Sequence, residues 1–284
     1  MRNYYKEGPA SKLFDVFNTI ILALIVFLVV YPLWNQLAIS FNDNNVAASR
    51  NIYFYPKAFT LTNYEFVFTN SSILEGARVS LLRVIIGTAG TLLCTGLLAY
   101  ITTIRNFTGR KFMRRVFVIT MYFSGGLIPT YLMMVQLKLI NTFWVYIVPN
   151  LINAYFMLLI ASFIQNIPES MFEAARMDGA SELQIYFKTV LPICIPVFSA
   201  VAVYAAVGHW NAWFDCMIYN ADGKWDTLQI ILRRLLLEQE AFQKIHNELI
   251  AASKFRNLTS EGLRAATTMI VTVPILCIYP FFQK

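Results

Sequence analysis

Nothing limits what this chain can fold into more than its long runs of apolar residues without charge. Six recur along the whole length, at about residues 16–39, 77–104, 116–137, 142–164, 190–213 and 265–282. Apart from Arg78 and Arg83 in the second, none holds an Asp, Glu, Lys or Arg. Each is close to the ~20 residues that an α-helix needs to cross a bilayer. Charged residues make up 14% of the 284 residues, against roughly a quarter in a soluble domain. The shortfall lies in these runs, so the expectation is an all-α polytopic membrane protein with six spans in one transmembrane domain, 16–284, behind a short segment, 1–15. The first run is too long for the core of a secretory signal and has no clear cleavage site behind it, so it is expected to stay as an anchor.

An even number of spans puts both termini on one side. The loop 105–115 holds Arg105, Arg110, Lys111, Arg114 and Arg115 and no acid, which places it in the cytoplasm by the positive-inside rule. Arg2, Lys6 and Lys12 agree for the N-terminus. The net charge of +7 therefore reads as membrane orientation and not as a nucleic-acid surface. The segment 165–189 then falls inside, and two longer segments, about 40–76 and 214–264, fall outside. Within the latter, Leu228, Ile231, Leu235, Leu236, Phe242, Ile245 and Leu249 recur at helical spacing. This predicts an amphipathic helix over about 227–250 on the outer face.

Cys94, Cys194, Cys216 and Cys277 form no CxxC pair, so no zinc site or disulfide framework is indicated. Gly125, Gly126 and Pro129, Pro149, Pro192 and Pro196, and Pro274 and Pro280 interrupt the later spans. Such breaks survive at membrane depth only where protein or a water-lined path satisfies the freed backbone.

The informative segment is the inner one. It reads Pro168-Glu169-Ser170-Met171-Phe172-Glu173-Ala174-Ala175-Arg176-Met177-Asp178-Gly179-Ala180, followed later by Leu191-Pro192. Proline suits a first helical turn, Glu169 and Glu173 favour the positive end of the helix dipole, and Gly179 is a good stop. A short separate helix over about 169–178 is predicted. Glu173, Ala174 and Ala175, with Gly179 four residues after the second alanine and Leu191-Pro192 beyond, resemble the EAA motif of ABC importer permeases. Asp178 and Ala180 extend the match to the Asp-Gly-Ala form of the sugar branch. Thr189 stands two before Leu191, where the family often has a branched apolar residue.

The resemblance implies the six-helix type I importer (MetI-like) fold. It makes 169–178 a coupling helix that docks in a cleft of an ATPase subunit, with Glu169, Glu173, Ala174, Ala175, Asp178, Gly179, Ala180, Leu191 and Pro192 as the coupling residues. A second match, Gly208-His209-Trp210-Asn211-Ala212-Trp213-Phe214, looks like MalG-type carbohydrate permeases, especially their LplC/YtcP-like group. It implies a second, homologous permease, two ATPase subunits that bind ATP and Mg2+, an extracytoplasmic solute-binding protein, and a sugar or oligosaccharide as cargo. Members usually continue past the sixth span in a short Gly-containing tail; this sequence ends at Lys284.

Chemistry within the chain is sparse. No GxxxxGK[ST] phosphate loop, HExxH or nucleophile elbow occurs, so the chain is not expected to be an enzyme or to hold a cofactor or metal. Trp210 and Trp213 read first as interfacial anchors. A second reading stacks them on sugar rings, with Asn211 bonding hydroxyls and His209 beside them. Arg78 and Arg83 lie close enough to the outer interface to snorkel, with a place for Arg83 in a path for acidic sugars as the lesser reading. His246 reads as solvated. A secondary transporter needs ion-coupling carboxylates at mid-membrane, and no span has one near its centre. A membrane enzyme would have only His209 and Asp215 to work with. An amino-acid or peptide ABC permease is the nearer alternative.

Overall fold

A computed structural model describes residues 9–43, 54–237 and 259–282. Among them the chain is helical, with one isolated bridge pair, Asn42 and Phe59, as its only extended pairing. It divides into two compact units: residues 1–70 with 235–272, and residues 71–234 with 273–284.

The first unit is built on α1, Pro9–Ser40. From Val16 onward it carries no charge and apolar residues lie on all sides, and every residue from Ser11 to Val30 is exposed. A helix that is hydrophobic on all sides has no stable place in water. At 1.5 Å per residue its 32 residues extend about 48 Å, more than the ~30 Å hydrocarbon core. The helix ends in a polar knot. Asn63 of α2, Thr62–Thr69, donates to the carbonyls of Ser40 (2.9 Å) and Asn42 (3.2 Å). The Asn42 side-chain carbonyl accepts from the amides of Lys57 and Ala58. Polar groups freed at the turn thus find partners within it.

The second unit is organised by α3, Ser71–Ile101, against α6, Ala154–Ile164, and α10, Ile195–Asn211. Small residues let these backbones approach. A methyl group at Gly87 would sit 2.6 Å from the His209 ring, and one at Gly96 would meet Phe198 at 2.7 Å. Beside them Met157, Ile160, Ile164, Tyr186, Val190, Val197 and Val201 form the buried core. Replacing Gly96 by Leu is therefore expected to force α3 off α10 and cost about 1–3 kcal/mol, the range for overpacking. A fall in melting temperature of the detergent-solubilised protein measures it.

Three of the six expected spans are not single straight helices. The run 116–137 splits into α4, Arg110–Tyr122, and α5, Leu127–Gln136. Between them lie Ser124, Gly125 and Gly126, the last at φ +83°, a conformation that stops a helix of L-residues. Pro129 then sits in the first turn of α5, where a missing N–H costs nothing. The run 142–164 opens with two 3-10 turns, Phe143–Tyr146 and Val148–Asn150, and turns by 45° into α6. Its freed carbonyls are met by α3: Thr91 Oγ1 donates to Asn150 O (2.9 Å) and Thr95 Oγ1 to Leu151 O (3.0 Å). Asn153 then caps α6 by accepting from the Phe156 amide.

The run 190–213 begins in a π turn, Tyr186–Val190, and a short α9, Leu191–Ile193, then bends by 84° at Cys194 into α10. Pro192 and Pro196 remove two amide donors on either side of the bend, which is where a helix kinks. By length and composition two helices can cross a membrane unaided, Ser11–Ser40 and Ser71–Ile101, and up to four if each bent pair counts as one span. The sixth run lies in α13, Ser260–Phe282. The expected outer helix is seen as α12, Leu228–Leu237. Its continuation to 250, with His246, lies outside the described residues, as does the Cys277 side chain.

Candidate functional site

The segment 168–185 folds as its sequence requires. Helix α7 runs Glu169–Met177 with Pro168 at its N-cap and Glu169 in the first turn. Gly179 takes φ +79°. Its amide donates to Arg176 O, and the Ala180 amide reaches back to Ala175 O, both at 3.0 Å. These two bonds form a Schellman stop. The next residues open a new helix at once: the Ser181 side chain accepts from the Gln184 amide, and the Gln184 side chain accepts from the Ser181 amide, a capping box for α8, Glu182–Ile185. The Asp-Gly-Ala part of the motif thus has a local meaning. It ends one helix sharply and turns the chain into the next.

Only one face of α7 is fixed to the unit. Phe172 is buried, and Ala175 and Ala180 pack on the same core. The other face, with Ser170, Met171, Glu173, Ala174 and Met177, is exposed, Met177 to 88%. Glu173 has no ion pair among the described residues. Ion pairs hold the ends: Arg105 with Glu169 at 3.1 Å and Arg176 with Glu182 at 3.0 Å. Glu182 also accepts from the Tyr100 hydroxyl of α3. Burial pushes the Glu182 carboxyl up, but bonds from Tyr100 and Arg176 outweigh it and hold it below the usual carboxylate value. Leu191 and Pro192 open α9, directly after the π turn that leads from this segment towards α10, Pro192 exposed.

A second polar cluster lies in a cavity of about 260 Å3 bordered by Arg83, Thr91, Asn150, Asn153, His209 and Asp215. Of the expected path residues, only Arg83 and His209 reach it. Trp210 is buried, and Asn211 accepts from Gln229 (3.3 Å). Trp213 carries the Arg233 guanidinium over its ring at 3.6 Å. Trp210 is therefore no exposed interfacial anchor.

Arg83 does not snorkel. It is 1% exposed, ion-paired with Asp215 of α11, Phe214–Tyr219, donates to Ala212 O (3.2 Å), and lies over the Tyr146 ring at 4.6 Å. A carboxylate, a carbonyl and a ring face make burial of the cation tolerable, where position alone suggested escape to the interface. Arg78 is exposed. Sequence reasoning does not single out Thr91, Asn150 and Asn153. Their signal is the proline-broken run opposite a threonine pair four residues apart, Thr91 and Thr95, which share one face of α3. No cluster of metal-ligating groups occurs among the described residues.

With this geometry in place, comparison with known proteins adds three likenesses. The family described as "Binding-protein-dependent transport system inner membrane component" matches residues 93–214, the stretch that contains α7 and the π turn. Protein LplC of Bacillus subtilis (strain 168) is 34% identical over 276 residues, covering 97% of this chain and 92% of its own. The polygalacturonan/rhamnogalacturonan transport system permease protein YtcP of the same organism is 32% identical over 96% of this chain and 95% of its own. Among solved structures, a chain from a bacterial ABC transporter involved in the import of the acidic polysaccharide alginate superposes with a TM-score of 0.89. It is 21% identical and 97% of each chain is covered.

Proposed function

Because the chain belongs to the family of binding-protein-dependent transport inner-membrane components, we propose that it is the membrane-spanning permease subunit of an ATP-driven importer for oligosaccharides. The observation that carries this reading is the exposed face of α7. A short amphipathic helix, stopped sharply at Gly179 and packed on the core through Phe172 and Ala175, presents Glu173 and Ala174 away from it. That is the geometry a coupling helix needs: rigid at its root and free to enter a partner's cleft. Relatives are named for transport of polygalacturonan/rhamnogalacturonan and of arabinooligosaccharides, which favours a sugar over amino acids or peptides.

In this reading the domain 16–284 crosses the cytoplasmic membrane six times, with the broken runs at 116–137, 142–164 and 190–213 each making one pass and both termini inside. A second, homologous permease completes the path. Two ATPase subunits hold ATP and Mg2+. A binding protein delivers the sugar from outside. When the ATPase subunits close, α7 follows and the motion passes through α8 and the π turn at Tyr186–Val190 into α10, which faces α3 across Gly87 and Gly96. The chain itself supplies coupling and path, and no bond-making step.

The cavity at Thr91, Asn150, Asn153 and His209 offers donors and acceptors along that path, suited to sugar hydroxyls. The test is hydrolysis by the whole assembly in proteoliposomes, with binding protein and a panel of neutral oligosaccharides, oligouronides, amino acids and peptides. Stimulation by one class of oligosaccharide is expected. Stimulation by peptides or amino acids alone contradicts the cargo assignment.

A further inference from the structure

Two adjoining cavities in the second unit carry a feature that coupling does not use. One, about 340 Å3, lies between the 102–114 stretch and α7 and gathers Arg105, Arg110, Lys111, Arg114 and Arg176, with Glu169 as its one acid. Arg105 and Arg176 are already paired, with Glu169 and Glu182. Among the described residues no carboxylate is paired with Arg110, Lys111 or Arg114. Arg114 meets only the Gln165 side-chain carbonyl, in the amide orientation that satisfies both groups, and its buried Nε has no acceptor. These cations also sit at the start of α4, whose first turn holds no acid. The positive end of a helix dipole repels cations and attracts anions, so the site is short of negative charge twice over.

The second is an open groove along α4 that adjoins the first. Lys111 and Arg114 border both, and Arg115, Val118 and Ile119 border the rest of the groove. Lys111, Arg114, Arg115 and Val118 lie at i, i+3, i+4 and i+7, one face of α4. That face changes from cationic to apolar over about 11 Å of helix rise, with Ile119 55% exposed. A soluble anion would use the first cavity and has no need of the second.

We propose that this is a binding site for an anionic phospholipid of the cytoplasmic leaflet, its phosphate among Arg110, Lys111 and Arg114 and its acyl chain along Val118 and Ile119. The placement in that leaflet rests on the orientation given above. Because Glu169, Phe172 and Arg176 of α7 form the far wall, a bound headgroup braces the root of the helix that couples to ATP. Lipid composition then sets how tightly hydrolysis follows sugar delivery.

The test uses the complete complex in nanodiscs of phosphatidylcholine with or without phosphatidylglycerol, read by native mass spectrometry for retained lipid and by stimulated ATPase activity. Wild-type complex is expected to retain phosphatidylglycerol in preference to phosphatidylcholine. Lys111→Gln with Arg114→Gln is expected to weaken retention about 30-fold, from roughly fivefold per cation near an anionic surface. Ile119→Trp, which fills the apolar groove and leaves the charge that orients the chain untouched, is expected to weaken retention as well; it decides the matter if the double variant fails to insert. Equal retention of both lipids, or retention unchanged by Ile119→Trp, overturns the site. So does inorganic phosphate that displaces the lipid or restores ATPase stimulation in phosphatidylcholine alone, since it would show a free-anion site. Sugar-dependent stimulation is read separately in wild type, so failure of the transport reading is distinguishable from failure of the lipid site.

Discussion

Arg83→Met should destabilise the folded protein by about 3–5 kcal/mol, the cost of leaving one partner of a buried ion pair alone. The pair joins positions 132 residues apart, one on α3 and one just beyond the end of α10. Asp215 keeps only 20% of its side-chain surface exposed, so water cannot replace the lost guanidinium. Asp215→Ala should cost a similar amount, because it strands the more deeply buried cation. The double variant Arg83→Met with Asp215→Leu should recover most of the loss, since a buried pair replaced by packed apolar groups is often close to neutral. Thermal unfolding of the assembled complex measures all three. Transport by the double variant then separates two roles. If it carries sugar well, Arg83 is a brace for the N-terminal half of α3; if it is stable and transports nothing, Arg83 acts in the path.

The sequence shows most clearly what local chemistry decides. The α7 helix can be placed because Pro168 and Gly179 bracket it and each has one conformational meaning. The long runs at 16–39 and 77–104 can be placed because each holds an apolar stretch of about 20 residues without charge, from Val84 onward in the second, which matches the thickness of a bilayer. The splitting of the middle runs is harder to read. Hydropathy is continuous across Phe123–Gly126 and Pro149–Asn153, so a composition window sees no boundary there. What decides whether proline or glycine bends a membrane helix or breaks it is the partner that satisfies the freed carbonyls. For the run 142–164 that partner is Thr91 and Thr95 on another helix. The 84° turn at Cys194 has a related origin, in two prolines four apart whose combined effect no single-residue rule gives.

The polar cluster is only half legible. His209 stands out because histidine is rare in the chain. Its place against Gly87, where no larger residue fits beside the imidazole, depends on packing between helices far apart in sequence. Asp215 gives no sign that it is Arg83's partner, since an acid just outside a span is common. Trp213 and Arg233 likewise meet only through the fold.

The central claim is that α7 transmits ATP-driven closure, and charge reversal at Glu173 tests it most directly. Glu173 is exposed and without an ion pair among the described residues, while Phe172 and Ala175 pack the helix on its other side. Glu173→Lys should therefore leave folding and membrane insertion intact. If Glu173 meets a basic group of an ATPase subunit, reversing it should cost at least about 2 kcal/mol of docking, roughly 30-fold in affinity. The measurement is ATPase stimulation by sugar-loaded binding protein in proteoliposomes, wild type against Glu173→Lys, with assembly of all subunits checked in the same samples. Loss of stimulation and of sugar uptake is the predicted result. A Glu173→Lys complex that is stimulated and transports like wild type would contradict the coupling role of α7.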